Sequence, residues 1–286
     1  MIERRLVANG LHHHVITWGE DSAQQTVLLC HGFLDMGLGF FKLAPLFVDA
    51  GYRVISFDFR GHGDTEWVGR GGYYHFADYV LDMHELVPQL VDGPFHLVGH
   101  SMGGTVATLY AGTHLSNIRS LALLEGYGPP AEDPAIATDR MNMWLSGMDA
   151  LRREENRVVL ADLNAAISRL GRRNPTLDQE SLRFLAQHST EPHPRAKGLT
   201  WRFDPMHRTR SPQGFELSRF LSFAAKISRP TLIVQGESGL RTGDDDARIA
   251  GFPQARQVVI PGAAHMLHWT HAAETARAVL EFWGPA

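Results

Sequence analysis

The chain has 286 residues, with 27 Lys and Arg against 31 Asp and Glu, a formal net charge of −4. That balance offers no positive field for a phosphate backbone and excludes general nucleic-acid binding. The single cysteine excludes an intramolecular disulfide and a cysteine-rich zinc site. No run approaches the roughly 20 apolar residues that span a bilayer, so no integral membrane segment is expected. The opening Met1-Ile2-Glu3-Arg4-Arg5-Leu6 leads into no apolar stretch of signal-peptide length, and a soluble, cytoplasmic protein is expected. Cys30, inside Val27-Leu28-Leu29-Cys30, reads as a small buried hydrophobe. Neither composition nor motif assigns an oligomeric state.

Residues 4–8 and 12–18 read as a hairpin turned at Asn9-Gly10, a dipeptide suited to positive φ. Three short, almost continuously apolar runs follow, at Thr26–His31, Arg53–Asp58 and Phe95–Gly99. Such runs suit a parallel sheet covered by helices on both faces. Helical stretches over 38–50, 73–91 and 103–113 separate them, and further strands are expected at Ile118–Glu125, Thr231–Gln235 and Ala255–Ile260. A last helix is expected over 271–283. The alternation predicts an α/β fold with a mostly parallel, doubly wound sheet. From Gly126 to about Lys226 no strand-like run occurs; helical patterns over 134–150, 154–170, 178–188 and 213–225 read as an inserted helical cap. The expected division is a core of residues 1–126 and 227–286 with a cap, or lid, of residues 127–226. Its substrate-facing candidates are Trp144, Met148, Met141, Met143, Trp201 and Phe203, which either line an apolar pocket or pack cap helices together. The segment from Arg195 to Arg210 reads as solvated surface, with carboxylate recognition as the alternative.

Gly99-His100-Ser101-Met102-Gly103-Gly104 follows the strand Phe95-His96-Leu97-Val98 and opens a helix of small residues. This is a G-x-S-x-G nucleophile elbow in its required strand–turn–helix setting. A sharp turn strains the serine backbone, and glycines two positions to either side leave room where strand and helix cross. Ser101 is thereby presented at the carboxyl end of the sheet, at a helix N-terminus that favours negative charge.

With His31-Gly32-Phe33, Phe57-Asp58-Phe59-Arg60-Gly61-His62-Gly63-Asp64 and Pro261-Gly262-Ala263-Ala264-His265 added in that order, the chain resembles the α/β-hydrolase fold family over almost its whole length. Within the family it is similar to the serine hydrolase-like proteins with a helical cap. The resemblance implies Ser101 as nucleophile, His265 as base, and an oxyanion hole formed by the backbone N–H groups of Phe33 and Met102. His268 is the nearest competitor for the base. His31, Asp58, Arg60 and His62 read as braces of their loops. The run His12-His13-His14 alternates faces along a strand and cannot converge on one ion, so it reads as a solvated strand.

The acid departs from the commonest family pattern. The slot three residues after Gly236, where most members place an Asp, holds Gly239. Glu125, at the end of the preceding strand, is the favoured substitute, because haloalkane dehalogenases and other members of the fold carry the acid there. The run Asp244-Asp245-Asp246 and Glu237 are the alternatives. The function implied is hydrolysis of a small-molecule carboxylic ester, apolar or aromatic, through an acyl-enzyme, with no metal or other cofactor. The same triad also serves C–C, amide and perhydrolase chemistry, and the fold also hosts non-catalytic ligand-binding receptors. Haloalkane dehalogenases and epoxide hydrolases are disfavoured, because they need an Asp where this chain has Ser101.

Overall fold

A computed structural model describes residues 1–113, 117–153 and 158–284. The first two strands, β1 (Ile2–Ala8) and β2 (Leu11–Trp18), form the expected hairpin. Asn9 and Gly10 at its tip have φ of 47° and 75°. Then come β3 (Gln25–Cys30), α1 (Leu43–Asp49), β4 (Tyr52–Phe57), α2 (Phe76–Leu90), β5 (Phe95–His100), α3 (Met102–Ala111) and β6 (Ile118–Leu124). The insertion carries α4 (Ala137–Arg152), α5 (Leu163–Arg173), α6 (Gln179–Ser189), β7 (Thr190–Pro192), β8 (Leu199–Trp201) and α7 (Leu217–Ala224). The chain returns with β9 (Thr231–Ser238), α8 (Asp245–Ala250), β10 (Ala255–Ala264), α9 (Leu267–Thr270) and α10 (Ala272–Trp283).

Eight strands make one sheet in the order β1-β2-β4-β3-β5-β6-β9-β10. The first two pair antiparallel and every pairing from β4 to β10 is parallel. The doubly wound reading therefore holds. The chain moves outward from β3 to β4, then crosses back to lay β5 on the other side of β3. Ser101 follows β5 at that reversal, where open α/β sheets leave a crevice at the carboxyl ends of their strands. Side chains of β3 alternate between two cores. Leu28 and Cys30 pack with Val106 and Ala107 of α3, and Val27 and Leu29 with Phe47 of α1 and Val279 of α10. Cys30 is fully buried, and desolvation pushes its thiol far up, as expected of a packing residue. Among the described residues no helix is long and apolar enough to cross a membrane.

Three expectations need correction. Between 126 and 226 there is a ribbon, β7 paired antiparallel with β8; strands of three residues are too short to show a period of two. The helix expected over 154–170 is present only from Leu163, and residues 154–157 lie outside the described residues. The run His12-His13-His14 is not a solvated strand. Only His12 is exposed, because β2 lies inside the sheet and the loop after β4 covers it. His14 Nδ1 lies 2.8 Å from Asp58 Oδ2, and its Nε2 lies 2.9 Å from Glu3. Asp58, 2 % exposed, also accepts the N–H groups of Gly37 and Asp64. Burial opposes a charge on His14, but the hydrogen bond and charge of Asp58, with Glu3, outweigh it and push the imidazole up to about 9.

A raised histidine stabilises the fold fully below its unfolded value of about 6.5, and that contribution is lost as pH rises through the folded value. The Tm difference between wild type and His14→Gln should therefore be largest near pH 6, where the ion pair contributes on the order of 3 kcal/mol. It should shrink steadily between pH 7 and 10. Thermal melts across that range check it, and a difference that does not narrow rules the pair out as a pH-dependent stabiliser.

Candidate active site

At the end of β5 the chain turns within a single residue into α3. Ser101 has φ 51° and ψ −117°, a region that an L-residue occupies only under constraint. A Cβ on Gly99 would lie 2.6 Å from the Gly103 carbonyl oxygen, and one on Gly103 would lie 2.2 Å from the Cys30 carbonyl oxygen. Both elbow glycines are thus required by close backbone approach. Among the described residues, the non-glycine positions with positive φ are Asn9, Leu34, Ser101 and Glu125. Asn9 belongs to the hairpin; the other three surround one point at the carboxyl ends of β3, β5 and β6. Strain concentrated in this way marks sites where geometry is held for a purpose.

His265 follows β10 and reaches back across the sheet. Its Nε2 lies 3.0 Å from Ser101 Oγ, and its Nδ1 lies 3.4 Å from Glu125 Oε2. A carboxylate only accepts, so the proton sits on Nδ1 and the Nε2 lone pair faces the serine hydroxyl. The contact of 3.4 Å is long for such a bond. The Glu125 side chain is 1 % exposed and the His265 side chain 27 %. The Gly236 N–H donates to Glu125 Oε1 at 2.6 Å and the Leu240 N–H to Oε2 at 2.8 Å. Arg241 Nη1 lies 3.6 Å from Oε1, and its Nη2 donates to the Gly236 carbonyl at 2.7 Å.

The empty acid slot has a structural counterpart. A Cβ on Gly239 would fall 2.0 Å from Glu125 Oε1. The carboxylate arriving from β6 thus fills the space that a side chain at position 239 would take. The alternatives are engaged elsewhere. Glu237 accepts the Gly262 N–H. Asp244 pairs with the buried Arg248 of α8, whose hydrogen bond lowers its carboxyl. Burial works against a charge on Asp245, but the Tyr127 hydroxyl and the N–H groups of Thr242 and Gly243 hold its carboxyl below the ordinary range. His268, the competitor for the base, is fully buried, with its Nε2 3.4 Å from Asp35.

Beside Ser101, a Cβ on Gly32 would stand 3.3 Å from the serine Cβ, so the Gly32-Phe33 turn packs directly against the elbow. Among the described residues, neither the Phe33 nor the Met102 N–H has a hydrogen-bond partner, which leaves both donors available. His31 braces this turn. Its Nε2 accepts the Phe59 N–H at 2.9 Å, so Nδ1 carries the proton and donates to the Gly32 carbonyl at 2.7 Å. The Phe33 ring is 50 % exposed and lies edge-on to His62 and His207.

The insertion is tied to this region more tightly than its sequence indicates. The segment read as solvated surface is exposed at Arg195, Ala196, Lys197, Arg208 and Arg210, but buries Thr200, Asp204 and His207. Asp204 accepts from the Tyr74 hydroxyl at 2.8 Å and donates its N–H to the Gly61 carbonyl at 2.8 Å. Arg202 pairs with Asp64, and the His207 ring lies 3.9 Å from that of Tyr74. Trp144 is half-buried, edge-on to Tyr73 at 5.5 Å, and Met148 is half-buried. Met141 and Met143 face solvent, and Trp201 packs into the insertion's own cluster with Leu160, Ala166 and Ala186. A cavity of about 320 Å³ opens between Trp67, Leu151 of α4 and the segment Asp204-Pro205.

Two clusters bring three ligating atoms within 4.8 Å of one another: His14 with Asp58 and Asp64, and Asp35 with His100 and His268. In the first, His14 is protonated at neutral pH and offers no lone pair. In the second, His100 Nε2 lies 3.0 Å from the His265 carbonyl and His268 faces Asp35. Sequence reasoning missed Arg241, His100 and Asp35. Arg241 lies two residues beyond the empty slot, and His100 is the variable residue of the elbow; neither position has a residue requirement that a motif records.

Comparison with known proteins agrees with this architecture. The alpha/beta hydrolase fold family matches residues 25–272. A 3-hydroxybutyrate-oligomer hydrolase of Cupriavidus necator is 30 % identical over 96 % of this chain and 94 % of its own. A serine hydrolase-like protein of Dictyostelium discoideum is 23 % identical over 96 % of this chain and 79 % of its own. The solved thioesterase domain from the curacin biosynthetic pathway superposes with a TM-score of 0.85 at 30 % identity, covering 98 % of this chain and 99 % of that one. An open parallel sheet, a strained elbow at its reversal point and a match over most of the sequence lead to one assignment: the chain belongs to the α/β-hydrolase fold family.

Proposed function

We propose that the protein is a serine hydrolase that cleaves carboxylic esters through an acyl-enzyme intermediate. The observation that carries this reading is the alignment of Ser101 Oγ, His265 and Glu125, with contacts of 3.0 and 3.4 Å on the two sides of one imidazole. His265 Nε2 takes the proton as Ser101 Oγ attacks the ester carbonyl. The N–H groups of Phe33 and Met102 receive the oxyanion, which a preorganised pair of donors stabilises strongly. His265 then returns the proton to the departing alcohol oxygen. Water, activated by the same nitrogen, attacks the acyl-enzyme and regenerates Ser101. Glu125 holds the tautomer and stabilises the imidazolium. The steps use side chains, backbone N–H groups and water. The names of the Cupriavidus hydrolase and the curacin thioesterase domain accord with acyl transfer.

Residues 127–226 act as the cap in this proposal, with Trp144 and Met148 of α4 facing the acyl or alcohol portion, which is apolar or aromatic. Among the described residues none in α4 is buried, so truncating those two side chains removes little packing. Any loss of activity therefore reports on substrate.

Pre-steady-state release of p-nitrophenol from acetyl, butyryl, octanoyl and benzoyl esters should show a burst stoichiometric with protein, and Ser101→Ala should abolish it. A burst that survives in the mutant, or no serine-dependent turnover with any ester, would overturn the proposal. The acid is tested by moving it. Glu125→Gly should lower kcat by about 10²–10⁴-fold, the scale of triad acids elsewhere, while Asp244→Asn, which removes the countercharge of the buried Arg248, should cost stability but leave kcat of the folded protein within about twofold. Adding Gly239→Asp to Glu125→Gly should recover at least about tenfold, since the carboxylate returns to the same space and φ is relieved at position 125. An inactive Asp244→Asn beside an active Glu125→Gly would move the acid to the later loop. For the cap, Trp144→Ala and Met148→Ala should each lower kcat/KM for octanoyl and benzoyl esters about 10-fold, as loss of about 1–3 kcal/mol of apolar contact implies, and spare the acetyl ester. Unchanged values for all four esters place the pocket elsewhere.

A further inference from the structure

Behind the Ser101–His265 pair lies a group of buried polar side chains that the acyl-transfer steps do not use. His100 Nε2 stands 3.0 Å from the His265 carbonyl oxygen. A carbonyl only accepts, so this nitrogen carries the proton and donates. Burial, reinforced by the neighbouring His268 and His265, holds His100 well below the usual imidazole range, so the ring is neutral and its tautomer is set. The His268 ring lies 4.1 Å from that of His100, and its Nε2 lies 3.4 Å from Asp35 Oδ2. His100 and His268 are 1 % and 0 % exposed, and Nδ1 of each has no hydrogen-bond partner among the described residues. Two imidazoles and a carboxylate so far from water are costly, and apolar side chains would fill the same space at less cost.

Their positions in the chain are as telling as their contacts. Asp35 comes two residues after Phe33, His100 immediately precedes Ser101, and His268 comes three residues after His265. Each belongs to one of the three segments that supply the proposed oxyanion donor, nucleophile and base. Those segments leave three different strands, β3, β5 and β10. The pairing of β9 with β10 shifts register between Ile260 and Ala264, just before the base, so the regular ladder ends short of His265. The His100 bond to the His265 carbonyl joins this segment to the nucleophile strand beyond that point.

We propose that Asp35, His100 and His268 form a positioning clamp for the acyl-transfer site. His100 holds the backbone of His265 at the height that places Nε2 over Ser101, and the Asp35–His268 pair holds the His100 ring in place. None of the three touches the reacting atoms. The clamp rests on the reading of Ser101 and His265 as nucleophile and base.

The test uses the full chain and a fluorophosphonate probe for labelling of Ser101, with kcat and KM for a p-nitrophenyl ester and a thermal melt alongside. His100→Leu removes the donor. His100→Gln keeps an N–H that reaches the same carbonyl. His100→Leu should slow labelling and lower kcat by about 10–100-fold with KM nearly unchanged, the scale expected when a reacting group shifts by about 1 Å. His100→Gln should recover most of that loss. If wild type labels but His100→Leu labels equally fast, or if Leu and Gln behave alike, the clamp is overturned while the hydrolase reading stands. If wild-type protein does not label at Ser101, the hydrolase reading falls and the clamp with it. Should His100→Leu fail to fold, Asp35→Asn decides: a drop in kcat of about 3–10-fold at constant KM supports the clamp, by the same misplacement argument, and an unchanged kcat overturns it.

Discussion

The first turn of α3 is pressed between the carboxyl ends of two strands, and the rest of the site follows from that contact. A Cβ on Gly103 would strike the carbonyl at the end of β3, and one on Gly104 would lie 2.3 Å from the carbonyl of Gly126, just beyond β6. Only backbone fits on either side. The helix can come this close because Ser101 takes the strained conformation that turns the chain within one residue. The same approach brings the segment after β3, with Phe33, and the segment after β6, with Glu125, to the two flanks of the serine. Loosening this packing would disperse all three at once, so steric exclusion is the organising term and the polar contacts refine it.

The electrostatic arrangement is correspondingly economical. Glu125 leaves β6 with φ 52° and reaches the space beside Gly239, where two backbone N–H groups and an arginine already face it. A buried carboxylate is tolerable only with such partners. The longer side chain of Glu, compared with Asp, covers the distance from the neighbouring strand. The carboxylate thus comes from one strand and its supporting donors from the next, which couples β6 to β9 at the point where the insertion leaves the sheet.

Much of this was legible beforehand, for identifiable reasons. The alternation of apolar runs and helical stretches reports burial on both faces, and the parallel sheet follows from it. Ser101 could be read because a strained turn needs glycine at fixed offsets. His265 could be placed because its position relative to the last strand is set by the fold. The vacancy at Gly239 was visible in the sequence and the resemblance pointed to Glu125, but the contact itself joins residues 111 positions apart, counted from Glu125 to Gly236, which no local pattern records. The burial of His13, His14, Asp204 and His207 was not legible. Polar residues carry no periodic signal, and the partners of these four, among them Asp82 for His13, Asp58 for His14 and Tyr74 for Asp204 and His207, lie far along the chain. The β7–β8 ribbon was too short to register, and the role of His100 is invisible because its partner is a backbone carbonyl, which any residue at position 265 would supply.

Helix α4 shows where this design leaves room for change. It runs for 16 residues, with no buried side chain among the described residues. A helix of that length gains little from local hydrogen bonding alone, and its attachment to the body of the protein rests on contacts such as that of Trp144 with Tyr73. Fewer buried apolar contacts hold it than hold the central strands, the pattern of an element that opens locally at less than the global free energy. Outside Arg140, which pairs with Glu132, and Trp144, substitutions along α4 cost folding little, whereas the glycines beneath Ser101 admit none. A lineage built on this chain can therefore remodel the surface that α4 presents while the strained elbow stays as it is.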